Sequence, residues 1–303
     1  MKSARNKWAN VPQIPYIGRF APSPTGPLHL GSLFTALASY LEARAQQGIW
    51  LLRIDDLDTP RNVPGAADSI LRTLEAFGMT WDQEVSYQSR HLDAYLEALE
   101  VLASHDLTYH CICSRKFLAE SHNSTYPNFC RDRPTPSSND FALRIKTNML
   151  DISFDDQLCG HISQNIGVEH GDFIIKRKDR IIAYQFAVVI DDHLQNITHV
   201  LRGADLLDST IKQLYLHQCL NLNTPRYLHV PVLTGINGTK LSKKDHAPAV
   251  TQENSHLTLF KLLQLLQQNP PVELQNSSCE QLLQWAIKNW DVFKLSRISC
   301  IPV

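Results

Sequence analysis

Apolar residues along this chain recur with two periodicities, one typical of buried strands and the other of amphipathic helices. The segments 16–21 and 48–54 are short and apolar, as expected for strands buried on both faces of a parallel sheet. Apolar residues recur at helical spacing in 30–41, 68–77 and 89–102. In the last of these helices the expected inward residues are Leu92, Leu96, Leu99 and Leu102. The order strand, helix, strand, helix predicts a doubly wound α/β sheet.

The same pattern returns after a polar stretch. The segments 173–177, 181–190, 197–201 and 227–233 are apolar, and each is expected to form a strand. Asp205 is expected to cap the helix that follows the third of them. The inward residues of that helix include Leu207, Ile211, Leu214 and Tyr215.

These elements predict a Rossmann-type main domain with a parallel sheet, formed by residues 16–105 and 173–235. Residues 106–172 interrupt it and are expected to form an insertion, and residues 1–15 a tail. Residues 236–303 are expected to carry a lysine-rich loop and a helical C-terminal region, with helices over 256–267 and 279–290.

Composition narrows the class of protein. Hydrophobic residues make up 43% of the 303 residues and charged residues 19%, which is typical of a globular protein. The formal net charge of -1 argues against coating of nucleic acid through bulk charge, although a local basic face is compatible with it. Without an apolar run of 18 residues or an apolar leader, we expect no membrane association. Seven scattered cysteines, an odd number, favour a reducing compartment, and we expect the cytoplasm.

The most distinctive stretch is the loop 19–32, which joins the first predicted strand to the first helix. It holds three prolines and two glycines, which make a sharp and rigid connection. The start of a helix presents unpaired N–H groups and partial positive charge, both suited to phosphate, and His29 can add a donor. The alternative is a merely stiff loop with a packed or surface histidine.

An acidic cluster follows the second predicted strand. Asp55, Asp56 and Asp58 come directly after the apolar run, at the strand end where ligands bind in open α/β sheets. A solvated turn is the alternative.

Three cysteines in the insertion have spacing suited to a metal. Cys111 and Cys113 are separated by one residue, and Cys130 follows seventeen positions later. Zinc takes four tetrahedral ligands, so the fourth has to come from His110, His122 or an oxygen donor such as Tyr126. Buried or free thiols are the alternative. The other cysteines, which we interpret as structural, are Cys159, Cys219, Cys279 and Cys300.

A lysine-rich segment follows the last predicted strand. Lys240, Lys243 and Lys244 lie beside Ser242 and can neutralise a polyphosphate, although a solvated loop is the usual reason for such a run.

Together these segments resemble a known family. The loop ending in His29-Leu30-Gly31-Ser32 and the later Lys240-Leu241-Ser242-Lys243-Lys244 resemble the two signature motifs of class I aminoacyl-tRNA synthetases. Residues 19–26 and 53–61, and Asp191-Asp192-His193 with 202–205, resemble the glutamyl branch. The ordered matches span about three-quarters of the chain, residues 16–250.

Length then separates the branches. Because the chain stops soon after the second signature, we expect no anticodon-binding domain, and the chain resembles the truncated paralogues, the glutamyl-Q tRNA(Asp) synthetases. That resemblance implies tRNA-independent activation of L-glutamate with ATP and transfer of glutamate to the queuosine base of tRNA(Asp). The alternatives are an ordinary glutamyl-tRNA synthetase that charges a 3′ end, an adenylate-forming nucleotidyltransferase without a tRNA substrate, and a catalytically silent tRNA-binding module.

The resemblance also implies roles for residues. ATP is expected at His29, Gly31, Ser32 and Lys243, with His29, Lys240 and Lys243 catalytic and Mg²⁺ bound with ATP. Asp55 is expected to bind the glutamate ammonium, although the family generally has glutamate there. Arg19 and Arg202 are expected to bind the carboxylates, and the other residues of the glutamate pocket are Phe20, Ala21, Pro22, Ser23 and Tyr184.

The family's zinc pattern fits Cys111, Cys113, Tyr126 and Cys130, which makes Tyr126 the fourth ligand and the Zn²⁺ structural. The protein is expected to be a monomer. Candidate contacts to tRNA phosphates are Arg115, Lys116, Arg131 and Arg133.

Overall fold

The computed structural model of the protein describes residues 15–120, 125–136, 140–235 and 250–303. In these ranges the helices are α1 (Leu30–Ala45), α2 (Ala66–Ala76), α3 (Leu92–Ser104), α4 (Arg115–Glu120), α5 (Tyr184–Leu194), α6 (Leu207–Cys219), α7 (Ser255–Leu265) and α8 (Cys279–Asn289). The strands are β1 (Ile17–Phe20), β2 (Ile49–Ile54), β3 (Ser86–Tyr87), β4 (Thr108–Cys111), β5 (Ala142–Ile145), β6 (Asp151–Asp156), β7 (Gly160–Asn165), β8 (Ile174–Lys176), β9 (His199–Gly203), β10 (Arg226–Val230), β11 (Val232–Thr234) and β12 (Cys300–Pro302).

Parallel strands form the centre of the molecule. β1 pairs with β2, β2 with β3, and β9 with β10, all in parallel. The N–H of Thr198 donates to the carbonyl of Ile17 at 2.9 Å, which brings β9 beside β1. The strands therefore follow one another in the order β3, β2, β1, β9, β10, and their carboxyl ends lie along one edge.

Helices cover both faces of this sheet, because the side chains of each strand alternate between two cores. Trp50, Leu52 and Ile54 of β2 belong to a core shared with α1, α2, α7 and α8. Leu51 faces the opposite core, which includes α3, α5 and α6. The predicted α/β architecture with a parallel sheet is confirmed.

Residues 106–172 contribute antiparallel structure, and strand β8, which was expected in the main domain, joins it. β4 pairs with β5 and β5 with β8, while β6 and β7 form a hairpin. Ile152 of this hairpin belongs to the same core as α5 and α6, so the hairpin packs directly on the central layer.

One predicted strand is wrong. The run 181–190 does not form a strand, because residues from Tyr184 onward form helix α5. Phe186 through Asp192 are all buried, so α5 has no solvent-exposed face over that span. A helix buried on every side gives a continuous apolar run that periodicity cannot distinguish from a strand.

Smaller predictions also need correction. Leu92 and Leu96 are not core residues, since they are 48% and 45% exposed and Tyr95 takes the inward position. Asp205 lies in a 3₁₀ turn before α6, whose N-cap is Leu206 without a capping side chain. The segment 227–233 forms two strands, β10 and β11, which end and begin on either side of Pro231.

The C-terminal part packs on the central domain. α8 lies against α1 and α7, and β12 pairs in parallel with β11. Within the described ranges, none of the helices combines the length and apolarity that crossing a membrane requires.

Candidate active site

Two adjacent cavities open at the carboxyl edge of the parallel sheet. The first has a volume of about 320 Å³ and the second about 420 Å³, and they share Ala21, Ser23, Tyr184 and Leu206. The second contains Asp55. Ten of the residues that the sequence assigned to glutamate or ATP line the first: Arg19, Phe20, Ala21, Pro22, Ser23, His29, Gly31, Ser32, Tyr184 and Arg202.

His29 is the N-cap of α1. Its Nδ1 accepts from the N–H of Ser32 at 3.2 Å, and its Nε2 lies 2.9 Å from the Ser32 hydroxyl oxygen. Because Nδ1 accepts, the proton of a neutral ring lies on Nε2 and is donated to that hydroxyl. The ring therefore caps α1 through Ser32, at the end of the helix that faces the first cavity.

Buried charges link the sheet to α5. Arg19 on β1 and Arg53 on β2 occupy strand positions that face α5, two residues after Ile17 and Leu51 on the same face. Arg19 Nε donates to Asp192 at 3.1 Å, and Arg53 Nη1 donates to the same carboxylate at 2.7 Å.

Asp55 and Asp191 complete this charge cluster. Arg53 Nε donates to Asp55 at 2.8 Å and lies 3.7 Å from Asp191. Asp191 also accepts from Gln88 and Tyr95, each at 2.7 Å. Two arginines thus face three buried aspartates, which together sum to one net negative charge, and His91 Nδ1 also lies 2.7 Å from Asp191.

The cluster shifts the ionisation of its members. Burial raises the pKa of Asp55 to about 6, although Arg53 opposes this shift. For Asp192 burial also favours the neutral form, but Arg19 and Arg53 outweigh it and hold the pKa of that carboxyl below its usual range. Burial alone lowers the pKa of Arg53, yet Asp55, Asp192 and Asp191 raise it well above the usual value.

A second buried network holds Arg202. Arg202 on β9 and His229 on β10 are register partners, and Arg202 Nε donates to His229 Nε2 at 3.0 Å. His229 Nδ1 lies 2.7 Å from a carboxylate oxygen of Asp156, at the end of β6. Since the carboxylate accepts the Nδ1 proton, Nε2 is left with the lone pair that Arg202 requires. Burial lowers the pKa of His229, which favours this neutral form.

Each of the two arginines keeps one side of its guanidinium toward the first cavity. Arg19 uses Nε and Nη2 on Asp192, and its Nη1 makes no hydrogen bond with any described residue. Arg202 is held through Nε and through Nη2, which donates to Thr210 at 2.8 Å. Among the described residues, its Nη1 makes only a long contact of 3.5 Å with the Tyr184 hydroxyl. Two anchored cations are thus placed to receive carboxylate oxygens.

Other candidate residues either have another partner or lie outside the described ranges. Both carboxylate oxygens of Asp56 accept hydrogen bonds from Ser89, at 2.8 and 2.7 Å, so this side chain is held by Ser89. Lys240, Lys243 and Lys244 lie outside the described residues, as does His122.

The three cysteines of the insertion do come together. The sulfur atoms of Cys111, Cys113 and Cys130 lie within 4.8 Å of one another, with 3.6 Å between those of Cys113 and Cys130. The Tyr126 hydroxyl oxygen lies 3.4 Å from the Cys111 sulfur and 3.5 Å from that of Cys113. A tetrahedral zinc ion requires about 3.8 Å between sulfurs and about 3.5 Å from sulfur to oxygen, so these donors fit one. Arg144 stacks on the Tyr126 ring at 3.7 Å and fixes its orientation.

Several residues of the site have no role that could be assigned from the sequence. Asp191, Asp192 and Arg53 were named only as parts of segments that resemble the glutamyl branch. Their contacts with one another depend on α5 being a helix. Asp156 and His229 carry no recognisable signal, because they are 73 residues apart and meet only through the packing of β6 on β10.

Comparisons with known proteins give the family of the chain. The family described as tRNA synthetases class I (E and Q), catalytic domain, matches residues 17–258. Glutamyl-Q tRNA(Asp) synthetase of Ectopseudomonas mendocina is 49% identical over 93% of this chain and 95% of that protein. The Pseudomonas aeruginosa PAO1 protein of the same name is 47% identical over 95% of this chain and 97% of its own length.

Solved structures extend the comparison. A glutamate tRNA ligase from Elizabethkingia meningosepticum, in complex with its amino acid, is 26% identical with a TM-score of 0.78. The match covers 94% of this chain and 66% of that ligase, so this chain spans about two thirds of its length. Methionyl-tRNA synthetase of Mycobacterium tuberculosis shares only the fold, at 13% identity and a TM-score of 0.51. The resemblance in the sequence is confirmed, and the chain belongs to the glutamyl-Q tRNA(Asp) synthetase family within the class I tRNA synthetases of the E and Q group.

Proposed function

We propose that this protein activates L-glutamate with ATP, without tRNA, and transfers the glutamyl group to the queuosine base of tRNA(Asp). The observation that supports this most is the arrangement of three charged side chains. Arg19 and Arg202, each anchored on one side, line the first cavity, and buried Asp55 lines the adjoining one. Glutamate carries two carboxylates and one ammonium, and this set of charges complements it. The excess of carboxylates over arginines around Asp55 also favours an ammonium there.

Activation follows from this placement. An α-carboxylate oxygen of glutamate attacks the α-phosphorus of ATP, a new P–O bond forms, and the bond to pyrophosphate breaks on the opposite side. The step needs no covalent enzyme intermediate, so the protein contributes position and charge stabilisation. Gly31 and Ser32 at the start of α1 receive the phosphates, and His29 acts on them through the Ser32 hydroxyl to which it donates. Lys240 and Lys243 stabilise the departing pyrophosphate. Mg²⁺ bound with ATP adds positive charge on the phosphates.

The test uses labelled glutamate, ATP, and tRNA(Asp) with or without queuosine. We expect label on the queuosine-containing tRNA alone, and glutamate-dependent pyrophosphate exchange in the absence of any tRNA. Equal labelling of tRNA without queuosine would overturn the proposed acceptor. Labelling of a tRNA 3′ end would favour an ordinary glutamyl-tRNA synthetase, and exchange without transfer a nucleotidyltransferase with no tRNA substrate. Absence of exchange would favour a silent tRNA-binding module.

We also propose a structural Zn²⁺ held by Cys111, Cys113, Cys130 and Tyr126. The donor distances given above support this, and zinc would hold together a lobe whose own apolar cluster is small. His110 is a poorer candidate because its Nδ1 contacts Thr135 and it is not part of the cysteine group. We further propose that the protein is cytoplasmic, which is consistent with its seven free cysteines, and that it is a monomer. We keep the domain boundaries 16–105, 106–172, 173–235 and 236–303, with β8 of the third segment pairing onto β5 of the insertion.

Replacing Cys111 with serine is expected to lower the zinc content of the purified protein at least tenfold. The variant removes one of three thiolates from a four-ligand site. Atomic absorption measures the metal, and Cys300→Ser, at an exposed cysteine of β12, is the matched control. Retention of zinc by Cys111→Ser would show that the ligand assignment is wrong.

Replacing Asp156 with asparagine is expected to raise the KM for glutamate about tenfold, since one charged hydrogen bond contributes about 1.5–3 kcal/mol. One oxygen of Asp156 accepts from the backbone N–H groups of Leu158 and Cys159, and the other accepts from His229. In either orientation, the asparagine NH₂ would face another hydrogen-bond donor, either the backbone N–H groups or the His229 ring. The His229 ring, which orients Arg202, would therefore lose the hydrogen bond that holds it.

Pyrophosphate exchange at varied glutamate and varied ATP measures this effect. Only the KM for glutamate should change, and Asp155→Asn, at an exposed neighbouring position, should change neither constant. An equal rise in both constants would indicate a general structural defect instead.

A further inference from the structure

A wide groove lies outside the glutamate site. It has a volume of about 740 Å³ and lies between α3 and the antiparallel strands β4, β5 and β8. Six arginines and lysines line it, against Glu100 and Asp106: Arg131, Arg133, Lys146, Lys176, Arg177 and Arg180. The whole chain has a net charge of only -1, so this concentration of positive charge is local.

Three of these cations are already neutralised. Arg131 pairs with buried Asp172 at 3.1 Å, and Lys146 pairs with Asp106 at 2.8 Å. Arg177 contacts Asp58 and Asp179.

The other three cations have no such partner. The charged groups of Arg133, Lys176 and Arg180 make no hydrogen bond or ion pair with any described residue. Arg133 and Arg180 are exposed and Lys176 is half-buried. Three unpaired cations along one groove form a binding surface for a polyanion with spaced charges.

Apolar groups lie among these charges. Leu96 is 45% exposed on the wall formed by α3. On the opposite wall Phe141 packs against the His110 ring with 4.1 Å between centroids. Apolar and aromatic side chains between cations suit unstacked nucleotide bases, whereas an acidic peptide would use the cations alone.

The groove also leads to the active site. Arg177 lines both this groove and the cavity that holds Asp55. A ligand lying along the groove therefore extends toward the place where the activated amino acid would form.

We infer that this groove binds the anticodon stem-loop of the RNA substrate, with loop phosphates at Arg133, Lys176 and Arg180 and a base near Leu96 and Phe141. This inference rests on the proposed function, since it supplies the surface that presents the RNA to the glutamyl-adenylate. Of the sequence candidates, Arg133 is retained, while Arg131 is already bonded to Asp172.

The test reverses the three unpaired charges together in Arg133→Glu, Lys176→Glu and Arg180→Glu. Binding of a labelled queuosine-containing tRNA(Asp) anticodon stem-loop is measured by fluorescence anisotropy between 50 and 300 mM salt, about the range over which such contacts weaken. We expect affinity to fall at least tenfold, and the slope of log K against log salt to become shallower by about 2 to 3. Pyrophosphate exchange without RNA should stay unchanged, which shows that the variant is folded.

The matched control reverses three exposed cations elsewhere, Arg72→Glu, Lys261→Glu and Lys288→Glu. An equal loss of affinity in this control, or wild-type affinity in the groove variant, would overturn the inference. Displacement of the stem-loop by a polyglutamate peptide of equal charge would overturn it in favour of an acidic protein partner. If pyrophosphate exchange also falls in the groove variant, stem-loop binding is measured instead in the neutral variant Arg133→Gln, Lys176→Gln and Arg180→Gln. The same outcomes then support or overturn the inference.

Binding is read without any transfer reaction, so failure of the groove and failure of the proposed function remain distinguishable. A wild-type protein that binds the stem-loop through the groove but transfers no glutamate contradicts only the proposed function. Glutamate transfer by the wild type, together with normal stem-loop binding by the groove variant, contradicts only the inference about the groove.

Discussion

Replacing Arg53 with methionine is expected to lower the free energy of unfolding by about 3–5 kcal/mol, because removal of one partner leaves buried carboxylates uncompensated. Arg53 is fully buried and bonds to both Asp55 and Asp192. Arg19 still faces Asp192 in the variant, but Asp55 loses its nearest cation. Urea unfolding at pH 8 measures the difference.

The loss should shrink as the pH falls. In the wild type, Arg19 and Arg53 hold the pKa of Asp192 below its usual value, so this carboxylate stabilises the fold above the unfolded pKa and loses that contribution at lower pH. In the variant, burial without Arg53 raises the pKa values of Asp55 and Asp192. Their destabilising charge is then removed by protonation as the pH is lowered, so the two proteins should differ less at pH 5 than at pH 8.

Arg61→Met is the control, because Arg61 is 72% exposed and pairs with Asp58 at the surface. Exposed pairs contribute about 0–1 kcal/mol, so this variant should unfold close to the wild type. If Arg53→Met unfolds no more easily than Arg61→Met, the buried cluster does not stabilise the fold as described.

The contrast between α1 and α5 shows which elements can be predicted from the sequence. The helix at α1 was predicted because Leu33, Phe34 and Leu37 recur at helical spacing toward one core. α5 was taken for a strand because its residues from Phe186 to Asp192 are buried all round, so its run of side chains has no period. Local patterning thus finds half-buried elements, and fails where neighbours cover an element on every side.

The residues of the site also divide into those that local sequence patterns reveal and those that they do not. The loop 19–32 could be identified because one short segment carries the prolines, glycines and histidine that set its shape. The anchors of Arg19 and Arg202 could not, because they come from distant parts of the chain. Asp192 lies 173 residues after Arg19, and His229 reaches Arg202 only because β10 pairs with β9 in one register.

Replacing Asp55 with asparagine is expected to raise the KM for glutamate about 10- to 100-fold, the loss of one charge-assisted hydrogen bond of about 1.5–3 kcal/mol. The substitution removes the negative charge that would pair with the substrate ammonium, and keeps the shape of the side chain. Pyrophosphate exchange at varied glutamate measures the effect, and the KM for ATP should change little.

Asp56→Asn is the matched control one residue away. Both oxygens of Asp56 already accept from Ser89, so this variant should keep the wild-type KM for glutamate. A large rise in Asp56→Asn with none in Asp55→Asn would move the ammonium site from Asp55 to Asp56. Asp55→Glu adds one methylene and places the glutamate of the family pattern at this position, and it should bind glutamate better than Asp55→Asn does.

The pH dependence gives a second, independent measurement on Asp55. Burial raises its pKa to about 6, so the carboxylate is anionic above that value and becomes neutral as the pH falls through it. Because the ammonium requires the anion, the wild-type KM for glutamate should rise below pH 6, by up to tenfold per unit. In Asp55→Asn no proton is taken up at this position, and the KM should stay high and nearly constant over the same range. A wild-type profile that is already flat between pH 5 and 7 would mean that Asp55 does not bind the amino group, whichever way its substitution changes the KM.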